Sequence, residues 1–145
     1  MGYEFPVEPG RIYSFSRAVG DDEAVFESQT LAAAAGAPLV TSPTFVQSSE
    51  HYDPARIIPF DQDPESAGFG GGSDMLHAEQ HFEYFRQFKV GDRISVESTP
   101  GSTWFKDGRS GRLEFIETLT EYRGSDGEIV VRARKVSVHK LGPAD

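Results

Sequence analysis

The chain contains no cysteine. That absence excludes disulfide frameworks, Cys-ligated zinc, iron–sulfur clusters and thiol nucleophiles, so any chemistry must use oxygen, nitrogen or backbone groups. Positive charge is scarce: 14 Lys and Arg stand against 23 Asp and Glu, a formal net charge of −9. Such a chain repels phosphate backbones, and its longest basic cluster, Arg132-Ala133-Arg134-Lys135, is too short to offset that locally. Nucleic acid is therefore not an expected partner. Long apolar runs are missing too. Nothing approaches the ~20 residues of a membrane span, and no basic segment followed by an apolar run opens the chain, so a cytoplasmic location is expected.

What is present suits one domain. At 145 residues with 37% hydrophobic content, a core burying roughly 70% of the unfolded surface needs no metal or covalent staple. The single domain is expected to span residues 1–145.

The front of the chain reads as short elements. Tyr3-Glu4-Phe5-Pro6-Val7 alternates like a strand, and Pro6 assigns it to a sheet edge. After a turn at Pro9-Gly10, Ile12, Phe15 and Val19 give a helical stripe over residues 11–19 that stops at Gly20. Ser28 is placed to cap a helix running through Ala32 to Ala35. Ser42-Pro43 pairs an N-cap residue with Pro at the first helical position and opens a third helix through Phe45, Val46 and Tyr52. Residues 53–73, rich in Pro and Gly, read as a long loop, a hinge or lid. The run Gly68-Phe69-Gly70-Gly71-Gly72 lacks the flanking strand and helix of a phosphate cradle.

From Met75 the pattern is strand after strand. Ala78, Gln80, Phe82 and Tyr84 share one face of the first, and Ile94 and Val96 open the second. A hairpin near Lys106 to Gly111 leads to a third strand with Leu113, Phe115 and Leu119 on one face. Ser125-Asp126-Gly127 turns into the last, where apolar positions switch from odd (Ile129, Val131, Ala133) to even (Val136, Val138), suggesting a bulge near Arg134-Lys135. The expected class is α+β, an antiparallel sheet whose apolar face is plugged by the helix opened at Pro43.

Candidate chemistry is limited. His77 and His81 flank Glu79 at a spacing that would suit a metal on a helix. On a strand the same spacing separates them by about 13 Å, so no metal site is expected. No Gly-x-Ser-x-Gly elbow supports a serine hydrolase. The carboxylates gather at Asp21-Asp22-Glu23. Two readings stand there: a solvated turn, or an acid–base group whose pKa is raised by like-charged neighbours.

Phe15-Ser16-Arg17-Ala18-Val19-Gly20-Asp21 resembles the start of the MaoC-like dehydratase domains, in particular their N-terminal type. Ser42-Pro43-Thr44-Phe45 is similar to that group's Ala-Pro-Pro-Thr-Phe segment. Leu76-His77-Ala78-Glu79-Gln80-His81-Phe82-Glu83-Tyr84 resembles its Leu-His-Gly-Glu-Gln-x-Phe-x-Tyr, and Phe88-Lys89-Val90-Gly91-Asp92 its Pro-Leu-x-Val-Gly-Asp. The resemblance implies a hot-dog fold, a sheet wrapped around one long helix. It implies hydration of a trans-2-enoyl thioester, or dehydration of the (R)-3-hydroxyacyl thioester, on coenzyme A or acyl carrier protein and without a cofactor.

The departures from the family pattern carry most of the information. Where active relatives have Gly-Asp-x-Asn-Pro-aliphatic-His, the chain has Gly20-Asp21-Asp22-Glu23-Ala24-Val25-Phe26, so Asp21 remains and Phe26 replaces the proton-carrying His. Where they offer a backbone N–H to the enolate oxygen, Pro43 has none, leaving the Thr44 amide. The resemblance therefore implies a partner, a second hot-dog subunit that supplies the Asp–His dyad. Pro43, Thr44, Phe45, His77 and Gln80 are the expected substrate-side residues, with buried hydrogen-bonding roles also open to His77 and Gln80. Arg11, Arg17, Lys106, Arg109 and Arg112 are the cations available for coenzyme A phosphates or as solvated surface charge. Two alternatives remain. One is a self-sufficient homodimer using Asp21 with His51, His77 or His81, and the other is a non-catalytic acyl-CoA-binding module.

Overall fold

The computed structural model describes residues 2–21, 41–54, 75–108 and 111–141. Five strands, β1 (Tyr3–Pro6), β2 (Met75–Tyr84), β3 (Arg93–Gly108), β4 (Gly111–Arg123) and β5 (Ile129–Lys140), form one antiparallel sheet in the order β1-β3-β4-β5-β2. Helix α1 spans Pro9–Ala18, and a second helix spans Pro43–Tyr52. β1 lies at a sheet edge, as Pro6 requires. The helix expected near Ser28 and most of the 53–73 loop, including its glycine run, fall outside the described residues.

Two elements differ from the sequence expectation, one in its boundary and one in its type. Helix α1 starts at Pro9, not Arg11, because a proline at the first helical position costs no hydrogen bond and has its φ already set. The 43–52 helix is of the tighter 3-10 type. Its Thr, Val and Ser residues are weak α-formers, and the Ser48 hydroxyl bonds back to the Phe45 carbonyl at 2.7 Å. Ser42 is extended as an N-cap should be but makes no side-chain cap bond, and its hydroxyl is buried without a partner among the described residues.

The core lies between the sheet and this helix. Phe45 and Val46 are fully buried against Phe5, Phe88, Ile94 and Val96. Ring contacts tie Phe45 to Phe5 at 5.6 Å and to Phe15 of α1 at 5.5 Å. Inside the core, Ser49 bonds the Tyr122 hydroxyl at 3.2 Å. Tyr122 thus marks the helix-facing side of β4. The motif at Phe88 to Asp92 is a fastener: Gly91, at φ +89°, bonds the Val7 carbonyl, while the Val7 amide bonds the Asp92 carbonyl at 2.8 Å.

Register corrects two sequence expectations. No bulge occurs near Arg134-Lys135, where the pairing of β5 with β4 runs unbroken from Lys140 to Val131; β5 is irregular at Val130 instead, which is skipped between Val131 and Ile129. A further bulge lies in β2, where Ala78 is skipped between His77 and Glu79. The odd-to-even switch in β5 is therefore a real change of face. Val131 and Ala133 point to the helix, whereas Val136 and Val138 point away. Leu113, Phe115 and Leu119 do share a face, but it is the one opposite Tyr122, away from the helix. There Trp104 stacks on Phe115 at 5.3 Å. Val136 sits between Glu79 and Glu117 in register and is fully buried beneath Arg134, which bridges both carboxylates.

Burial of Tyr122 pushes its hydroxyl up from 10.0 to about 12, with a smaller opposing effect from the Ser49 hydrogen bond. The fold holds the protonated phenol, so this contribution is complete below about pH 10 and is lost as pH rises toward 12. Urea titrations should show about 2–3 kcal/mol less stability at pH 12 than below pH 10 from this group. Tyr122→Phe should lack that increment.

Candidate active site

Asp21 is placed by how α1 ends. Gly20 takes φ +74°, its amide bonds the Arg17 carbonyl at 3.3 Å, and the Asp21 amide bonds the Ser16 carbonyl at 2.8 Å. This paired closure of a helix C-terminus by a left-handed glycine fixes the direction in which the chain leaves α1. Asp21 is half-buried, and Asp22, Glu23 and Phe26 lie outside the described residues.

At the second helix, Pro43 has no N–H and the Phe45 amide is committed to the Ser42 carbonyl at 3.1 Å. The Thr44 amide has no partner among the described residues, and Thr44 is exposed. It is the donor left over at a helix N-terminus, where the backbone favours negative charge. Phe45 does not line this site. It is the centre of the core and supports the helix from behind.

Tyr84 holds that helix end in place. Its hydroxyl donates to the Pro43 carbonyl across from the last residue of β2. Burial raises the Tyr84 phenol above its ordinary value, which keeps it a donor. Sequence reading did not single out this residue. The available signal was its place at the end of the β2 motif, two residues after Phe82 and therefore on the same face.

The Ala78 bulge has a consequence for the same strand. Residues three apart normally face opposite sides of a sheet. With Ala78 bulged, His77 sits opposite Ser137 and Gln80 opposite Lys135, so both face the helix side. His81 pairs with Arg134 and faces away, so the two histidines of the motif lie on opposite faces. No cluster of three or more metal-ligating side chains occurs among the described residues. His51 is exposed on the helix.

Among the described residues, a concavity lies on each side of the sheet. The larger, about 450 Å³, is on the outer face around His81, Leu119, Glu97, Arg132 and Arg134. Its arginines are already matched: Arg134 with Glu79 and Glu117, Arg132 with Glu83 and Glu121. The Ser102 amide, followed by Arg134, holds the Glu117 carboxyl below its ordinary value, and Arg123 does the same for Glu121. The smaller, about 180 Å³, is on the helix side and includes Gln80.

The cations considered for phosphates rest on aromatic rings: Arg11 on Tyr52, Arg17 on Tyr13, Lys106 on Phe115 and Arg112 on Phe105. Arg109 lies outside the described residues.

The sequence profile described as "FAS1-like, dehydratase domain region" matches residues 2–133. The chain belongs to that family. It is 33% identical over 131 residues to a UPF0336 protein of Streptomyces avermitilis, covering 88% of this chain and 81% of that protein. A probable enoyl-CoA hydratase alpha subunit of Thermomonospora curvata is 29% identical over 140 residues, 89% of this chain but 43% of that longer protein. Among solved structures, the ChsH1-ChsH2 complex of Mycobacterium tuberculosis matches with TM-score 0.73 at 22% identity, covering 100% of this chain and 85% of that one. The HadBC (3R-hydroxyacyl-ACP dehydratase) complex of the same organism matches with TM-score 0.67 at 21% identity, covering 95% and 94%. The fold is the hot-dog fold of the MaoC-like dehydratases, and the helix-in-sheet packing around Phe45 is its hallmark in this member.

If Tyr84 secures the helix start, Tyr84→Phe removes a donor and leaves the Pro43 carbonyl without it. Urea denaturation should then show a loss of about 1 kcal/mol.

Proposed function

We propose that this FAS1-like dehydratase-region protein is the substrate-shaping, non-catalytic half of a heteromeric (R)-specific enoyl-thioester hydratase or 3-hydroxyacyl-thioester dehydratase. The observation that carries this reading is an incomplete site. Asp21 is set in place by the closure of α1, yet Phe26 stands where a proton-carrying His is needed. Hydration of an enoyl thioester needs a water held and deprotonated, and a donor for the enolate oxygen. Phenylalanine transfers no proton. Loss of a general acid–base group costs about 10²–10⁴-fold, and a partner subunit carrying both Asp and His restores it.

The chain's own contributions follow from its geometry. The Thr44 amide, without a partner among the described residues and steadied by Tyr84 through Pro43, is the oxyanion donor this chain can offer. The helix-side cavity beside Gln80 accepts part of the acyl group. The substrate is a coenzyme A or carrier-protein thioester, and the chemistry requires no metal or redox cofactor. The hot-dog neighbours found as two-subunit complexes, ChsH1-ChsH2 and HadBC, support a paired unit.

Two measurements separate this from a self-sufficient homodimer. Co-expressed with a hot-dog subunit carrying both Asp and His, the chain should be recovered in a mixed complex by intact-complex mass measurement. A homodimer alone, with turnover abolished by Asp21→Asn in the isolated chain, would establish the alternative.

A further inference from the structure

The sheet face under the 43–52 helix changes character along its length. Around Tyr122, Val131 and Phe82 it is apolar, but farther along the strands the helix-side positions become Ser98, Thr118, Thr120, Lys135 and Ser137, with Gln80 from β2. These line most of the 180 Å³ cavity, with Tyr3, Tyr122 and Ala133 at its side and Glu50 and Asp53 at the helix end. Ser98 and Thr120 bond one another at 2.9 Å, and the Lys135 ammonium lies 3.6 Å from Glu50. The side chains of Gln80, Thr118 and Ser137 have no hydrogen-bond partner among the described residues.

Such a lining suits an alkyl chain badly. A methylene tail filling the cavity would take water from those three groups and return nothing, and each group so stranded weakens binding by roughly fivefold to a hundredfold. A carboxylate is also unsuitable. Lys135 is already matched by Glu50. What remains is a neutral group that both donates and accepts hydrogen bonds. At ~30 Å³ per water-sized group, the cavity holds about six of them.

Position along the chain follows from the strand. Gln80 lies four residues from Tyr84, whose hydroxyl holds the helix start, a separation of roughly 13 Å. At ~1.2 Å per bond of an extended chain, that is about ten bonds from a carbonyl held at the Thr44 amide. We propose that this cavity receives the far end of the acyl group and selects chains of about ten carbons that carry a neutral oxygen function, a hydroxyl or ketone, near that end. The proposal rests on the thioester reading above and adds to it a substrate class.

The test compares decanoyl-CoA with its ω-hydroxy counterpart by calorimetry, using the full chain assembled with its partner subunit. The hydroxylated thioester should bind about tenfold tighter. Thr118→Val, which keeps a β-branched residue in the strand, and separately Ser137→Ala should each erode that preference. Equal binding of the two thioesters, or tighter binding of decanoyl-CoA, overturns the proposal and leaves the thioester reading standing. Binding of neither overturns both.

Discussion

Phe45 is the contact on which the molecule is organised. It is fully buried, touching the ring of Phe5 on the edge strand and that of Phe15 on α1. One side chain thus joins the first strand, the first helix and the second helix. Truncating a buried Phe of this kind typically costs about 3–5 kcal/mol. Here that loss would also free the helix that presents Thr44. The position of the site and the stability of the core therefore depend on the same packing.

From that contact the site is built by polar fasteners, each doing a local job. Gly20 closes α1 and sets Asp21. Tyr84 joins β2 to the start of the helix, and Ser49 joins the middle of the helix to Tyr122 in the sheet. On the outer face, Arg134 and Arg132 are consumed by carboxylates, which neutralises part of the acidic excess without creating an anion site. The helix side divides into an apolar half that holds the helix and a polar half that faces a cavity.

Much of this was legible in the residues. Alternation in β3 to β5 and the caps at Gly20 and Pro43 located the elements, because those signals are local. The family motifs singled out Asp21 and Thr44 as candidates. Less legible was which face each strand presents. The odd-to-even switch in β5 suggested a bulge near Arg134-Lys135, whereas the pairing is regular there and the irregularities fall at Val130 of β5 and Ala78 of β2. A parity change in one strand looks the same whether its backbone bulges or its other face is apolar, and only pairing with a neighbour separates the two. The same ambiguity concealed that His77 and Gln80 share a face and that Leu119 points outward. Phe45, taken as a substrate-side residue from its motif, proved to be the core contact, since an aromatic beside a helix start serves either purpose in sequence.

The central claim is that this chain supplies a shaped, donor-bearing half-site and not the proton-transfer dyad. The most direct measurement is hydration of crotonyl-CoA by the purified chain, alone and after mixing with a hot-dog subunit that carries both Asp and His. Negligible turnover alone, with activity arising only in the mixture, is the predicted result. Robust turnover by the isolated chain would contradict it.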